Sequence, residues 1–255
     1  MPQNITVRRG RDGFGSQLLS IFSGIAWCRT HPDNTYWHSS LSDIKLSDME
    51  DIQNHELGKA NEFVNQIIQN LGISTIDKCI GSFSTIESYH IPIKNKGVDS
   101  YYNEDFFSYL NASYTIGKSE YFTKPHNISI HIRRGADIAV KNPWRWIDES
   151  LYEPIIERFS IDYPDSDIHI FSWNDPSIKS RPNIKFHIVD NGRKFMDDFH
   201  AMVQSDILVV GSSSFSMSAG MLSKGVVLCD ESIYKVSDPL PTSWINNFQQ
   251  LMRIK

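Results

Sequence analysis

Apolar positions recur along this chain with two periods, and the period switches where glycines and prolines fall. Ile5-Thr6-Val7-Arg8 alternates as a strand does. The stretch after it carries Leu18, Leu19, Phe22, Ile25 and Ala26 at helical spacing. Thr35-Tyr36-Trp37-His38 reads as a second strand, and residues 42–54 and 56–71 as helices. The latter places Ala60, Phe63, Val64, Ile67, Ile68 and Leu71 on one face, with Gly72 as its C-cap. From 74 to 122 the pattern is weak: short strands near Cys79 and Tyr89, then a helical segment over Tyr101–Leu110. Lys124-Pro125-His126 breaks the chain, and the domain boundary is placed there, closing an N-terminal half at residue 123.

Beyond the break the alternation sharpens. Strands are predicted at Asn127–Ile132, Asp167–Ser172, Ile184–Val189, Asp206–Val210 and Gly225–Cys229. Helices are predicted over Leu151–Tyr163, over 194–204 and from the serine run through Leu222. The order β-α-β-β-α-β-α-β marks an α/β fold with a mostly parallel sheet and crossover helices. The second half is expected to span 124–240, with 241–255 a C-terminal helix placed to pack back on the N-terminal half.

The chemistry clusters where strands end. His131-Ile132-Arg133-Arg134-Gly135-Ala136-Asp137 delivers two arginines to the carboxyl end of a strand, the edge at which open α/β sheets bind ligands. A guanidinium presents a planar fork of donors that keeps its charge, which suits a phosphate or pyrophosphate. The plainer reading makes both arginines surface charges beside Asp137. Two strand-to-helix turns, Gly13-Phe14-Gly15-Ser16-Gln17 and Ser213-Ser214-Phe215-Ser216, could hold an anion at a helix N-terminus. Their plainer roles are a structural turn and N-capping by Ser213 or Ser214. Asp190, Asp197 and Asp198 are candidates to hydrogen-bond a base or ribose, the last two also to cap the 194–204 helix. His31, His38 and His55 have no ligand spacing.

Composition narrows the classes. At 255 residues, 40% hydrophobic and a net charge of −5, the chain is an ordinary globular protein, and its mild acidity disfavours nucleic-acid binding. Three cysteines, Cys28, Cys79 and Cys229, form no disulfide framework and no zinc spacing, which points to a reducing compartment. No apolar run nears the roughly 20 residues that span a bilayer, and the N-terminus lacks a signal-peptide layout. The expected location is the cytoplasm, so the sequons at Asn4, Asn111 and Asn127 are read as chance matches. No metal cluster is legible, and Asp165-Ser166-Asp167 precedes a strand rather than ending one.

Taken in order, G-F-G-S-Q, H-I-R-R-G-A-D, I-F-S-W-N-D (Ile170–Asp175) and S-S-F-S resemble the fucosyltransferases that use GDP-fucose and share an H-x-R-R motif. That superfamily comprises the α-1,2-, α-1,6- and protein O-fucosyltransferases. The resemblance covers most of the chain. It implies a GT-B architecture of two Rossmann-like halves facing across a cleft, with the donor bound by the C-terminal half and the acceptor on the N-terminal side. It implies that Arg133 contacts the donor pyrophosphate, and that His131, Arg134 and Asp137 shape or line the site. Gly13, Gly15, Ser16, Gln17, Ser172, Asp175, Asp190, Ser213, Ser214, Phe215 and Ser216 would then meet the substrates. The implied reaction is inverting transfer to a glycan hydroxyl, without a metal or other cofactor, with Asp12 as candidate general base. Three departures stand out: Ser16 where asparagine is usual, Ala136 between Gly135 and Asp137, and Trp173-Asn174-Asp175 in place of an acidic pair. They leave open another nucleotide sugar, or a non-catalytic nucleotide- or glycan-binding protein on the same fold.

Overall fold

The computed structural model describes residues 3–7, 13–39, 44, 54–76, 83–86, 98–135, 143–188, 194–230 and 241–253. The chain divides into two compact units, Met1–Thr115 and Ile116–Lys255. Both are α/β, and every strand pairing described is parallel.

In the first unit, strand β1 (Asn4–Val7) lies between β2 (Thr35–Tyr36) and the later strand Phe83–Ile86. The expected second strand is split. Tyr36 ends β2, while His38–Ser39 forms β3 and pairs with β4 (Thr75–Ile76) in a separate two-stranded sheet. Helix α1 (Phe14–Thr30) packs on β1 and β2. A Cβ at Gly24 would stand 2.8 Å from both Tyr36 Cε2 and Val7 Cγ2, so this glycine lets the helix close on the strands. Helix α2 (Asn54–Asn70) ends as the apolar spacing predicts, and Gly72 at φ 67° takes the left-handed conformation of a C-cap. Helix α3 (Glu104–Ser113) starts three residues later than expected. Asn103 sets that start, its side chain accepting the Phe106 N–H at 3.0 Å. The strand Phe83–Ile86 is β5. The predicted 42–54 helix, apart from Ile44 and Asn54, and the strands near Cys79 and Tyr89 lie outside the described residues.

The second unit holds five strands: β6 (Asn127–Ile132), β7 (Asp167–Ser172), β8 (Ile184–Ile188), β9 (Ile207–Val209) and β10 (Val226–Leu228). Their spatial order is β10-β9-β6-β7-β8. The chain starts at the centre, runs outward through β7 and β8, then crosses back to add β9 and β10 on the other side. Helices α4 (Glu153–Asp162), α5 (Phe195–Gln204) and α6 (Ser214–Leu222) make the crossovers, and α7 (Thr242–Arg253) follows β10.

All six residues of β6 are buried, which explains why its two faces carry different side chains. Ile128, Ile130 and Ile132 join a core with Tyr152, Ile155, Ile156 and Phe159 of the α4 region and Phe248 of α7. Phe248 thereby seats the C-terminal helix against the core of its own unit. On the opposite face, buried polar residues meet polar partners: Ser129 bonds the Ser205 hydroxyl at the end of α5, and His131 bonds Ser216 of α6. A buried hydroxyl or imidazole is tolerated only when so paired. Asn127 is buried as well, its side-chain N–H donating to the Lys124 carbonyl at 3.0 Å, so the sequon there serves the fold. Among the described residues no helix is long and apolar enough to cross a membrane.

Candidate functional site

Parallel strands bring their carboxyl ends to one edge of the sheet, and here the connections diverge between β6 and β9. In open α/β sheets such a switch point opens a crevice beyond the strand ends. Arg133-Arg134-Gly135 leaves β6 at that point, and Gly211-Ser212-Ser213 leaves β9 beside it.

The two lips are held close. Gly211 packs so tightly that a Cβ would stand 2.3 Å from the His131 carbonyl oxygen. Ser213 is the N-cap of α6, its hydroxyl accepting the Phe215 N–H at 3.3 Å. This fulfils the capping role without removing the helix N-terminus as an anion-facing element. Ser214 and Phe215 are half-buried at the start of α6, and Ser216 is fully buried. The Ser216 hydroxyl lies 2.9 Å from His131 Nδ1 and accepts the Gly211 N–H at 3.2 Å. Burial, with a smaller contribution from the Arg133 charge, pushes His131 down to about 3. The ring is therefore neutral at physiological pH, and the cationic character of this edge comes from the arginines.

The adjacent arginines have different surroundings. Arg133 is half-buried directly beyond β6. Arg134 is 1% exposed, and its guanidinium is turned into the protein. Its Nε donates to Glu149 Oε1 at 3.1 Å, one terminal nitrogen to the Arg133 carbonyl at 2.9 Å, and the other to the Ile147 carbonyl at 2.8 Å. A further close contact ties that last nitrogen to Glu149. The Trp146 ring covers the guanidinium at 4.0 Å. Sequence reasoning missed Glu149, Trp146 and Gly211. The first two lie beyond the motif in a stretch without periodicity, and Gly211 shows its purpose only when β6 is set against β9.

The remaining expected residues scatter. Ser172, buried at the end of β7, donates to the Asn174 carbonyl at 2.7 Å and closes the turn there. Asp175 is exposed and accepts the Ser177 N–H at 2.9 Å, holding Ser177 at φ 56°. Asp198 is buried and accepts from the Tyr121 hydroxyl at 3.2 Å, while Asp197 lies 3.9 Å from Lys194. In the first unit, Gly13 is the N-cap of α1 without a side-chain cap, and Gly15, Ser16 and Gln17 form the first turn, Gln17 N–H bonding the Gly13 carbonyl at 3.2 Å. Asp12, Asp137 and Asp190 lie outside the described residues.

Among the described residues no three His, Cys, Asp or Glu side chains gather as metal ligands. Cys28 and Cys229 are buried free thiols; burial pushes Cys28 up to about 12 and Cys229 in the same direction, so neither supplies a thiolate.

No family model matches the chain, and no curated protein does. Among solved structures it is similar to the fucosyltransferase NodZ from Bradyrhizobium. The identity is 10%, over 88% of this chain and 93% of that one, with a TM-score of 0.43. A second similar structure is NodZ α-1,6-fucosyltransferase co-crystallized with GDP, at 12% identity, the same coverage and a TM-score of 0.39. Likenesses of this degree decide neither fold nor activity.

Proposed function

We propose that this protein is a glycosyltransferase that moves fucose from GDP-fucose to a glycan hydroxyl, with inversion and without a metal, on two halves in a GT-B arrangement. The observation that carries the proposal is the place of Arg133. It stands at the switch point of the second unit's parallel sheet, beside the turn that opens α6. A diphosphate in that crevice meets a fixed cation on the β6 side and a helix N-terminus on the β9 side. The order of the four sequence motifs supports fucose as the sugar and GDP as its carrier.

In this reading the bond from C1 to the diphosphate oxygen breaks while the acceptor oxygen bonds C1 from the opposite face. The electron pair of the broken bond stays on the diphosphate, and the acceptor proton passes to a base, for which Asp12 is the candidate. Charge grows on the leaving group, so preorganised positive charge there lowers the barrier most. Buried and neutral, His131 supplies shape rather than charge. Arg134, through its bond to the Arg133 carbonyl, supports the residue that meets the phosphates.

A melting screen with GDP, UDP and CMP tests the donor class. GDP should stabilise the protein most, by about 2.7 kcal/mol at a hundred times its dissociation constant; an equal shift with UDP would move the donor to another class. Transfer from GDP-fucose should survive EDTA. Arg133→Lys keeps the charge and loses the fork, so kcat should fall roughly 10²- to 10³-fold with a modest rise in donor KM. Arg134→Lys should lower the melting temperature more than it lowers GDP affinity. A folded Arg133→Lys protein with wild-type kcat would remove the arginine from the mechanism.

A further inference from the structure

Building on the nucleotide site proposed above, we infer that Ser216 is a positioning residue. Through His131 it staples the β6 side of the crest to the β9 side and so fixes the backbone that carries Arg133. Sequence reading had placed this serine among the groups that meet the nucleotide. Its surroundings assign it inward work instead.

A hydroxyl offers one donor and two acceptor positions. Ser216 Oγ takes the Gly211 N–H at 3.2 Å and bonds His131 Nδ1 at 2.9 Å, with the Ser213 and Gly211 carbonyls at 3.3 and 3.4 Å. The residue is 0% exposed. One side chain in the first turn of α6 thus ties the end of β6 to the turn after β9. The missing Cβ of Gly211 lets those two backbones approach closely enough for the tie to form. His131 stands two residues before Arg133, whose own carbonyl is held from the other side by Arg134 at 2.9 Å. The diphosphate arginine is therefore bracketed, by Ser216 through His131 and by Arg134. A group held in this way keeps its geometry without reorganising when charge develops.

The test separates a tie made through Nδ1 from a ligand contact made through Nε2. The side-chain amide of asparagine ends where Nδ1 stands, and that of glutamine where Nε2 stands. The readouts are GDP affinity by titration, kcat, and hydrogen exchange at the Gly211 amide, which needs no ligand. Ser216→Ala should speed Gly211 exchange and weaken GDP binding about two- to tenfold, the span of one ordinary hydrogen bond. His131→Gln should match it, and His131→Asn, which keeps an amide where Nδ1 stands, should restore most of what His131→Gln loses. The double change Ser216→Ala with His131→Gln should cost no more than either alone.

Retention by His131→Gln with loss in His131→Asn would overturn the inference and place His131 against the ligand. So would a Ser216→Ala protein with wild-type exchange and affinity. If the wild-type chain takes up no GDP, UDP or CMP, the proposed function fails, and Gly211 exchange in the His131 variants alone decides: protection lost in His131→Gln and kept in His131→Asn upholds the staple, equal protection in both overturns it. Should Ser216→Ala fail to fold, the Asn and Gln pair at His131 decides on the same readouts.

Discussion

Two helices that follow strands in this molecule differ where their first glycines stand, at Gly13 and at Gly211. The turn after β1 leads through Gly13 into α1, and the turn after β9 leads through Gly211 into α6. At Gly13 the backbone has an ordinary φ of −62°, the N-cap residue has no capping side chain of its own, and among the described residues an added Cβ would meet nothing within 4 Å. At Gly211 an added Cβ would collide with the His131 carbonyl, Ser213 caps the helix, and Ser216 bonds back across the turn. The sequence offers both as turns able to hold an anion, the first through its glycines and the second through its serines. The second is tied to β6 by the Ser216–His131 bond and by the close approach of Gly211 to the His131 carbonyl. A glycine in a turn is therefore a weak signal until the partner it makes room for is known.

Replacing Gly211 by alanine should break the second turn outright. Two backbone segments must separate, and overpacking of that kind costs about 3 kcal/mol. Chemical denaturation measures the loss, and a Gly211→Ala protein of wild-type stability would erase the contrast between the turns.

A smaller effect should follow acidification, because the second unit buries imidazoles. His131 is held down to about 3 and His169 to about 4, burial being the main cause in both, against an ordinary value of 6.5. Below 6.5 the unfolded chain takes up protons that the native rings refuse. Each ring's stabilising contribution is therefore complete above that pH and is lost as the pH falls toward the native value. At pH 5 the cost is about 2 kcal/mol for each ring. Melting temperatures from pH 7 to pH 4.5 should fall less steeply in His131→Asn than in wild type, and parallel curves would count against a neutral, buried His131.

The first turn should respond least, and in the favourable direction. Gly13→Ser supplies α1 with a capping hydroxyl in a backbone conformation that suits it, a gain of a few tenths of a kcal/mol. A marked loss of stability in Gly13→Ser would show that this turn is as tightly built as the other.

The second unit was largely legible in the sequence because its signals are local. Alternation marked β7 over Asp167–Ser172, where it stands, and helical spacing placed α5 within one residue of Phe195–Gln204. Strands β9 and β10 are each one residue shorter at both ends than the sequence predicts, although Asp206 and Val210 still bond the strands beside them. The first unit was harder. Thr35–His38 looks like one strand, yet pairing partners far along the chain divide it between two sheets. The candidate site was legible as motifs but not as contacts. That Arg134 turns inward depends on Glu149 and on the Ile147 carbonyl, and neither has a spacing rule linking it to a strand end.

The central position of β6 also orders events as the chain is made. β6 pairs with β7 through Ile128 and Ile168 and with β9 through Ile207, so its β7 edge should be covered first. Contacts between distant positions form late because closing the longer loop costs more entropy. Until β9 arrives, one side of this fully buried strand is an unpaired edge, the kind of template on which chains aggregate. The staple across the switch point can close only after that edge is covered. The crevice beyond β6 and β9 should then take shape only after β9 is made, and a chain ending before residue 207 would display an unpaired strand in its place.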